Sequence, residues 1–185
     1  MSSSSSSSSA APAEFRGAWI PSVNNSDWPS APGLSAEQQK QELVSLLDAA
    51  VGLNLNVIVL QIRPACDAFY ASDLEPWSEY LTGTMGRPPD PFYDPLEFAV
   101  AEAHARGLQM EAWFNPYRVR TQNRLGNPAA THISRTRPEL VREYGGYQWL
   151  DPGRPDVQDQ TVRVICDVVQ RYGVDGVHIL SLIHI

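Results

Sequence analysis

The segment Asn56–Ile62 (NVIVLQI) restricts the fold of this chain more than any other. It is almost continuous in β-branched and apolar residues, as is typical of a strand that is buried on both faces. Such strands occur in parallel sheets whose two faces are covered by helices. The segment therefore predicts an α/β protein with a parallel sheet.

Predicted strands and helices alternate along the rest of the chain. Ser35 and Gln38 have the spacing of a capping box, and Asp94 followed by proline is typical of a helix start. Because β-α-β units connect parallel strands, the alternation predicts one parallel sheet with helices outside it. The four predicted strands are Phe15–Pro21, Asn56–Ile62, a segment that begins at Leu108 and is stopped by Pro116, and Val174–Ile179.

The long loops follow strands, whereas the links from helices to strands are very short. This asymmetry is typical of a TIM barrel, whose chemistry lies on the loops after the strands, although a doubly wound sheet would share part of it. No glycine-rich phosphate loop follows the first strand, so a dinucleotide-dependent enzyme is disfavoured. A full barrel needs about 250 residues and eight strands. We therefore predict a partial TIM (β/α)8 barrel, about the first four β-α units, truncated at its C-terminal side.

The two ends of the chain differ in composition from its middle. The run Ser2–Ser9 followed by AAPAE is typical of a flexible linker and lacks the basic and apolar regions of a signal peptide. Such a linker either tethers the domain to an upstream segment or has no role. Leu180–Ile185 continues the last strand without a turn or a cap. We expect a disordered linker over residues 1–14, one folded domain over 15–179 and a non-native tail over 180–185.

Composition limits the classes of partner. The 14 Lys and Arg residues against 21 Asp and Glu residues give a net charge of -7, which argues against nucleic acid, since a phosphate backbone needs a basic surface. Cys66 and Cys166 are too few for a disulfide scaffold or a cysteine-rich metal site, although a single bridge stays open. No cluster shows metal-ligand spacing, so we expect neither a metal nor a cofactor.

The stretch Leu108–Val119 (LQMEAWFNPYRV) carries the densest set of functional groups. It begins with the alternation of a strand and ends in an amide, a phenol, a guanidinium and aromatic rings. Such groups suit a sugar, because flat rings contact its CH surfaces and polar groups bond its hydroxyls. The alternative is that Trp113 and Phe114 are core residues and that Arg118 is an exposed loop residue.

Five blocks of the chain resemble the glycosyl hydrolase-like 10 family, also described as the DUF187 type, over the N-terminal half of its domain. The blocks are FRGAWIPSVNNSDWP, VIVLQIRPACDAFYASDLEPWSEYLTG, EAWFNPYRV, WLDPGRPDVQD and YGVDGVHI. The resemblance implies a TIM barrel and a glycosidase that hydrolyses O-glycosyl bonds, with bacterial peptidoglycan strands as the expected glycan. It also implies export to the cell envelope, periplasmic or extracellular, often as a lipoprotein. The serine run would then follow an upstream lipid anchor that tethers the protein to the membrane.

The resemblance also indicates site residues at the strand ends. Arg63 and Asp67 match the polar pair after the second strand. Asn115, Tyr117 and Arg118 match the block after the third strand.

Three further positions match the later blocks. Asp151 corresponds to the acid of the WLDPG motif, and Asp175 and His178 correspond to the DG-H motif of the fourth strand. The family pattern continues beyond His178 with an apolar residue and a pair of acids. Here Leu180 and Ser181 stand in place of those acids, so the best candidate for a catalytic carboxylate is missing.

The catalytic candidates are therefore Asp67, Asp151 and His178. Glycoside hydrolysis normally uses two carboxyl groups about 5–5.5 Å apart for retention or 6.5–9.5 Å apart for inversion. Each candidate also has a structural alternative: a loop cap for Asp67, a turn former for Asp151 and a hydrogen-bonded core residue for His178. Glu111 lies inside a strand, and we expect it to be buried beside an arginine. The substrate-binding candidates are Trp19, Arg63, Trp113, Asn115, Tyr117 and Arg118.

Two functions remain open from the sequence. The first is a fragment of a glycoside hydrolase, which we expect to be inactive as this truncated chain. The second is a non-catalytic carbohydrate-binding module of the same fold. An unpaired and apolar last strand also predicts self-association, because a free strand edge can pair with another chain.

Overall fold

The computed structural model describes residues 14–180, which form an α/β fold with two sheets. The main sheet has the strand order β1-β2-β3-β7, and each neighbouring pair is parallel. This confirms the predicted parallel sheet. Its strands are β1 (Gly17–Ile20), β2 (Val57–Arg63), β3 (Gln109–Phe114) and β7 (Gly176–Ile179).

The second sheet is small and antiparallel. In chain order its strands fall between β3 and the helix Pro155–Arg171. Its order is β4-β6-β5, and β5 and β6 form a hairpin joined by the Gly145–Gly146 turn. The stretch from Leu108 does not stay in one sheet, because the chain leaves β3 after Phe114 and enters β4 beyond Pro116. The strands are β4 (Arg118–Arg120), β5 (Val141–Tyr144) and β6 (Tyr147–Leu150).

The helices begin where the sequence signals indicate. The Ser35 hydroxyl accepts the N–H of Gln38 while the Gln38 side chain accepts the N–H of Ser35, so the capping box is complete. The Asp94 carboxylate accepts the N–H groups of Leu96 and Glu97. The helices are α1 (Ala36–Gly52), α2 (Glu79–Thr82), α3 (Pro95–Ala105), α4 (Ile133–Thr136) and α5 (Pro155–Arg171).

Alternate residues of the central strands pack on the long helices. Ile58, Leu60 and Ile62 of β2 belong to the main core, together with buried residues of α1, α3 and α5. Burying a side chain of this size contributes about 1.5–3 kcal/mol to folding. Because side chains alternate along a strand, Gln61 and Arg63 point to the opposite face of the sheet.

The main sheet is curved, and its concave face is the one opposite the helices. Trp19 of β1 and His178 of β7 lie on the two outer strands, yet their ring centroids are only 5.8 Å apart. Four flat strands would separate the outer two by roughly 14 Å. We infer that the sheet bends toward this face, which brings side chains from its two edges together.

Residues 1–13 and 181–185 lie outside the described residues, and with them nearly all of the predicted linker and tail. Within residues 14–180, β7 pairs with β3 on one side, and Val177 and Ile179 are 37% and 53% exposed. In the same range, no helix has the length and apolar character needed to cross a membrane.

Candidate functional site

Three rings from three strands meet on the concave face of the main sheet. His178 of β7 stands edge-on to Trp19 of β1 and to Trp113 of β3, with centroid distances of 5.8 and 6.0 Å. The Trp19 Nε1–H donates to His178 Nε2 at 3.4 Å. Trp19 is still 52% exposed. These three residues, the concave aromatic cluster, therefore offer ring surfaces to a ligand, and three of the predicted site residues lie together.

Asn115 orients one of these rings. Its Oδ1 accepts a hydrogen bond from Trp113 Nε1 at 3.0 Å, and its Nδ2 donates to the carbonyl of Pro64 at 3.3 Å. Asn115 is fully buried. The side chain thus links Trp113 to the loop after β2, whereas its predicted contact with substrate stays a prediction.

The DG-H motif around Gly176 has a different role at each position. Asp175 lies at the N-terminal end of β7, where its Oδ2 accepts the N–H of Met110 at 2.8 Å and lies 2.8 Å from His104 Nε2. A Cβ on Gly176 would lie 3.0 Å from the Cγ of Glu111, so the glycine makes room for that side chain. His178 belongs to the concave aromatic cluster. Asp175 therefore bonds neighbouring elements, Gly176 leaves room for the Glu111 side chain, and His178 supplies a ring to the cluster.

Glu111 lies on the concave face and not beside an arginine as expected. Its register partner is Gly176, over which its side chain packs. Among residues 14–180, Glu111 is in no salt bridge with Arg63 or Arg118. It is half-buried one step along β3 from Trp113 on the same face, which makes it the strand carboxylate nearest in register to the cluster.

Arg63 is fully buried and binds protein groups. Its Nε donates to Glu75 Oε2 at 2.7 Å, and its Nη1 donates to the carbonyls of Asn115 and Pro116 at 2.8 and 3.0 Å. Burial alone would lower the pKa of Arg63, but the Glu75 carboxylate reverses this and holds the pKa above its usual value. Arg63 thus fastens the loop after β2 to the turn after β3. These contacts give Arg63 a structural role, whereas its predicted contact with substrate stays a prediction.

Asp67 is fully buried in the loop after β2. Its Oδ1 accepts the N–H of Ala65 at 2.8 Å. Burial raises the pKa of Asp67 to about 7, and the Ser78 side chain and the Ala65 N–H only partly oppose the rise. A carboxyl group with this pKa is partly protonated at neutral pH, as a general acid must be.

Asp151 occupies the turn before α5. Its Oδ1 accepts the N–H of Gly153 at 3.1 Å, and its Oδ2 lies 3.4 Å from Arg142 Nη2. These contacts are those of a turn former. Within residues 14–180, no hydrogen bond or ion pair joins Asp151 to Asp67, so the structure does not bring the two predicted acids into direct contact.

Tyr117 and Arg118 lie where the chain enters the small sheet. Tyr117 packs against the second core cluster, which includes Val119 and Leu150. The guanidinium carbon of Arg118 lies 5.8 Å from the centre of the Trp149 ring. Burial lowers the pKa of Arg118. Arg118 is therefore a partly desolvated cation at the C-terminal end of the main sheet.

Two groups of residues near the candidate site were not predicted from the sequence. Glu75 was not singled out, although it neutralises Arg63, because it lies in a loop 12 positions further along the chain. Tyr147 and Trp149 alternate in β6 after a Gly-Gly turn, which is a hairpin signal that also places both rings on one face. In the part of the chain that the structure describes, no group of three or more His, Cys, Asp or Glu side chains could hold a metal ion.

Comparison with known families now decides the class of protein. The profile of the family described as Glycosyl hydrolase-like 10 matches residues 14–182. The chain belongs to this family. The resemblance that the five sequence blocks indicate is thereby confirmed.

Two curated relatives of this glycosyl hydrolase-like 10 chain carry the name glycosyl hydrolase. The chain is 47% identical over 167 residues to Glycosyl hydrolase YngK of Bacillus subtilis (strain 168), covering 89% of this chain and 32% of the relative. It is 36% identical over 181 residues to Glycosyl hydrolase DigH of Escherichia coli (strain K12), covering 88% of this chain and 40% of the relative. The chain thus spans about a third of the length of one relative and two fifths of the other.

Solved structures with a similar fold are TIM-barrel glycosidases. The α-galactosidase TtGalA from Thermus thermophilus superposes with a TM-score of 0.53 at 15% identity, over 90% of this chain and 30% of that one. The maltogenic α-amylase AmyB from Thermotoga neapolitana gives 0.52 at 13% identity, over 86% of this chain and 38% of that one. At such low identity these likenesses show the fold alone: an α/β fold with a parallel sheet.

Proposed function

We propose that this chain is the N-terminal part of a glycoside hydrolase barrel that acts on bacterial cell-wall glycan strands of the peptidoglycan type. Membership of the glycosyl hydrolase-like 10 family and the TIM-barrel neighbours support the glycosidase class. The four parallel strands and their curvature support about the first four units of a (β/α)8 barrel. The C-terminal strand ends, where such barrels place their chemistry, then form the active rim.

The concave aromatic cluster is the observation that carries this proposal. Trp19, Trp113 and His178 come from three different strands and converge on one face. Rings arranged in this way give a sugar flat surfaces to stack on, and His178 offers a polar edge. The cluster lies toward the C-terminal ends of β3 and β7, since Trp113 and His178 are paired in the register.

Asp67 is the proton donor in this proposal. Its pKa of about 7 lets the carboxyl give a proton to the leaving oxygen at neutral pH. Hydrolysis also needs a second, ionised carboxylate on the other side of the bond. The family's acid pair is replaced by Leu180 and Ser181 in this chain. We therefore propose that this 185-residue polypeptide binds glycan without hydrolysing it.

A non-catalytic carbohydrate-binding role is the second candidate. It is favoured by the enclosure of Asp67 and by the salt bridge of Asp151 with Arg142. Both contacts leave the concave aromatic cluster as the accessible part of the site. This role predicts glycan binding by the longer parent protein without turnover.

Location and association follow as further proposals. A glycan of the cell wall requires a protein in the cell envelope, and an upstream lipid anchor would tether it there. The apolar residues Val177 and Ile179 on an outer strand support self-association through β7. Membrane fractionation of the native protein and light scattering of the purified chain test these two proposals.

The decisive test of the function combines binding with hydrolysis. Purified peptidoglycan glycan strands are incubated with the chain, and bound protein and newly formed reducing ends are both measured. We expect co-sedimentation with the strands and no release of reducing ends above buffer. The Trp113→Ala variant should lose co-sedimentation, because Trp113 is the central ring of the cluster. Absence of binding by the unmodified chain would overturn the proposed function. Hydrolysis would overturn the proposal that this polypeptide binds glycan without cleaving it.

A further inference from the structure

One face of the small sheet is covered by aromatic residues. Trp149 lies opposite Arg118 of β4, and Tyr147 lies opposite Tyr144 of β5. Opposed residues share a face of a sheet, and so do residues two apart in one strand. Tyr147 and Trp149 have ring centroids 5.7 Å apart with planes tilted by 30°, and Tyr144 is 64% exposed. We call Arg118, Tyr144, Tyr147 and Trp149 the hairpin aromatic face.

Packing in the second core cluster accounts for the apolar residues on the other face of this sheet. It does not account for the aromatic residues of the hairpin aromatic face. Leu150 and Val141 are register partners on the other face, where they pack with Cys66 and Val119 in the second core cluster. The Gly145–Gly146 turn has positive φ at both positions, as a tight hairpin turn requires. This turn fixes the register that places the large rings on the side away from the core.

Arg118 provides an independent sign of a ligand. Its Nε is buried and has no acceptor among residues 14–180, and none of the salt bridges in that range includes it. A desolvated donor without an acceptor costs free energy. Arg118 as a whole is only half-buried and its guanidinium carbon lies 5.8 Å from the centre of the Trp149 ring, so a ligand oxygen on this ring would come near a cation that protein acceptors in the described range leave incompletely satisfied.

Arg118 also connects the hairpin aromatic face with the proposed active rim. Burial lowers its pKa, and the nearby groups of Tyr80, Tyr147 and Asp67 partly restore it. The charges of Tyr147 on the hairpin and of Asp67, the proposed proton donor, thus both act on the guanidinium. A glycan chain that passes the rim would meet the hairpin next.

We propose that the hairpin aromatic face is a second sugar-binding site, distinct from the concave aromatic cluster. A pyranose ring stacks its CH surface on Trp149 and Tyr147, and Arg118 donates to a hydroxyl or acyl oxygen of the same sugar. The proposal rests on the proposed function, since both sites bind parts of one glycan chain. It assigns the hairpin the task of holding a sugar away from the reacting bond.

The test measures binding of the β-1,4-linked hexamer of N-acetylglucosamine by isothermal titration calorimetry. Trp149→Ala should raise the dissociation constant about tenfold, a typical loss for a central aromatic contact. Trp149→Tyr should restore most of the affinity, because it keeps a stacking ring. Gln148→Ala is the matched control: it lies between the two rings in β6 but on the other face, where it bonds Glu143. Its dissociation constant should equal that of the unmodified chain.

The outcomes separate this inference from the proposed function. If Trp113→Ala weakens binding and Trp149→Ala does not, the hairpin site is wrong and the concave site stands. If the unmodified chain binds peptidoglycan strands but not the hexamer, this inference is overturned and the proposed function stands; if it binds neither, both are overturned. If Trp149→Ala changes only the oligomeric state, seen by light scattering, the hairpin aromatic face is a contact between copies and the inference is overturned. Circular dichroism of each variant confirms that it is folded.

Discussion

The two ends of the main sheet use their polar side chains in different ways. At the N-terminal ends of the strands, Asp175 is joined to His104 and to the Met110 N–H by short contacts of 2.8 Å. At the C-terminal ends, Asp67 is buried with a raised pKa, and Arg118 has a buried N–H without an acceptor in the described range. At the N-terminal end the polar groups bond neighbouring elements to each other. At the C-terminal end some polar groups lack a protein partner for all of their atoms in the described range.

Under the proposed function, this difference separates residues that stabilise the fold from residues that bind or react within one sheet. In TIM barrels the C-terminal face carries the chemistry, and the N-terminal face contributes stability. Arg63 shows that the separation is not complete, because its buried pair with Glu75 lies at the functional end and holds it together. Substitutions at the two ends test which residues stabilise the fold and which contribute to ligand binding.

The largest expected effect follows from breaking this buried ion pair. Arg63→Met removes one partner and leaves the Glu75 carboxylate buried without a cation. We expect the free energy of unfolding to fall by about 3–5 kcal/mol, as measured by urea denaturation. Asp167→Ala, which breaks the surface pair with Arg171 and removes no other side-chain bond in the described range, is the control and should cost about 0–1 kcal/mol. Equal losses of unfolding free energy in the two variants would show that the buried pair of Arg63 does not stabilise the fold more than a surface pair does.

The second effect concerns how stability depends on pH. The pKa of Asp67 is 3.8 without the fold and about 7 within it. The unfolded chain therefore releases this proton first as the pH rises. Stability from the protonated carboxyl is complete below about pH 4 and is lost as the pH rises to 7. The loss should be on the order of a few kcal/mol.

Asp67→Asn isolates this contribution, because the amide does not ionise. Unfolding free energies at pH 5 and pH 8 are compared for the unmodified chain and the variant. Burial lowers the pKa of His132 to about 4, which gives an opposite trend in both proteins and cancels in the difference. The unmodified chain should lose more stability between pH 5 and pH 8 than the variant. Parallel pH profiles would show that Asp67 titrates normally.

The third effect is on ligand binding at the functional end. Trp113→Ala removes the ring that contacts His178 and that Asn115 orients. The affinity for the N-acetylglucosamine hexamer should fall about tenfold, measured by titration calorimetry. Because the ring is only half-buried, the variant should remain folded in circular dichroism. An unchanged dissociation constant would assign Trp113 to packing.

The smallest effect is expected at the N-terminal end. Asp175→Ala removes the contact with His104 and the hydrogen bond from the Met110 N–H, and the Asp175 side chain that makes them is partly exposed to solvent. The free energy of unfolding should fall by about 1 kcal/mol. Hexamer affinity should not change, since Asp175 lies at the opposite end of the strand from the proposed site. A weakened affinity in this variant would contradict the assignment of Asp175 to stability alone.

Local signals explain why much of the fold could be predicted from the sequence. The capping box at Ser35 and the Asp94-Pro95 start both lie within a few residues of the helix that they begin. The apolar run of β2 indicated burial on both faces, and all seven of its residues are buried. Parallel pairing followed from the β-α-β order alone.

The site was less predictable because its contacts are distant in the sequence. Trp19 and His178 are 159 positions apart, and their contact depends on sheet curvature that no local pattern encodes. The buried pair of Arg63 with Glu75 could not be predicted, because the sequence does not show that Glu75 folds back over Arg63. Tyr147 and Trp149 of the hairpin aromatic face were missed because β6, in which they alternate, is only four residues long.

The most direct test of the whole account is a single titration series with the N-acetylglucosamine hexamer. The unmodified chain, Trp113→Ala and Asp175→Ala are measured under identical conditions. The account predicts that the chain binds the hexamer, that Trp113→Ala binds it about tenfold more weakly, and that Asp175→Ala binds it as the unmodified chain does. Equal affinity in all three proteins, or no binding in any, would contradict a glycan site at the C-terminal end of the sheet.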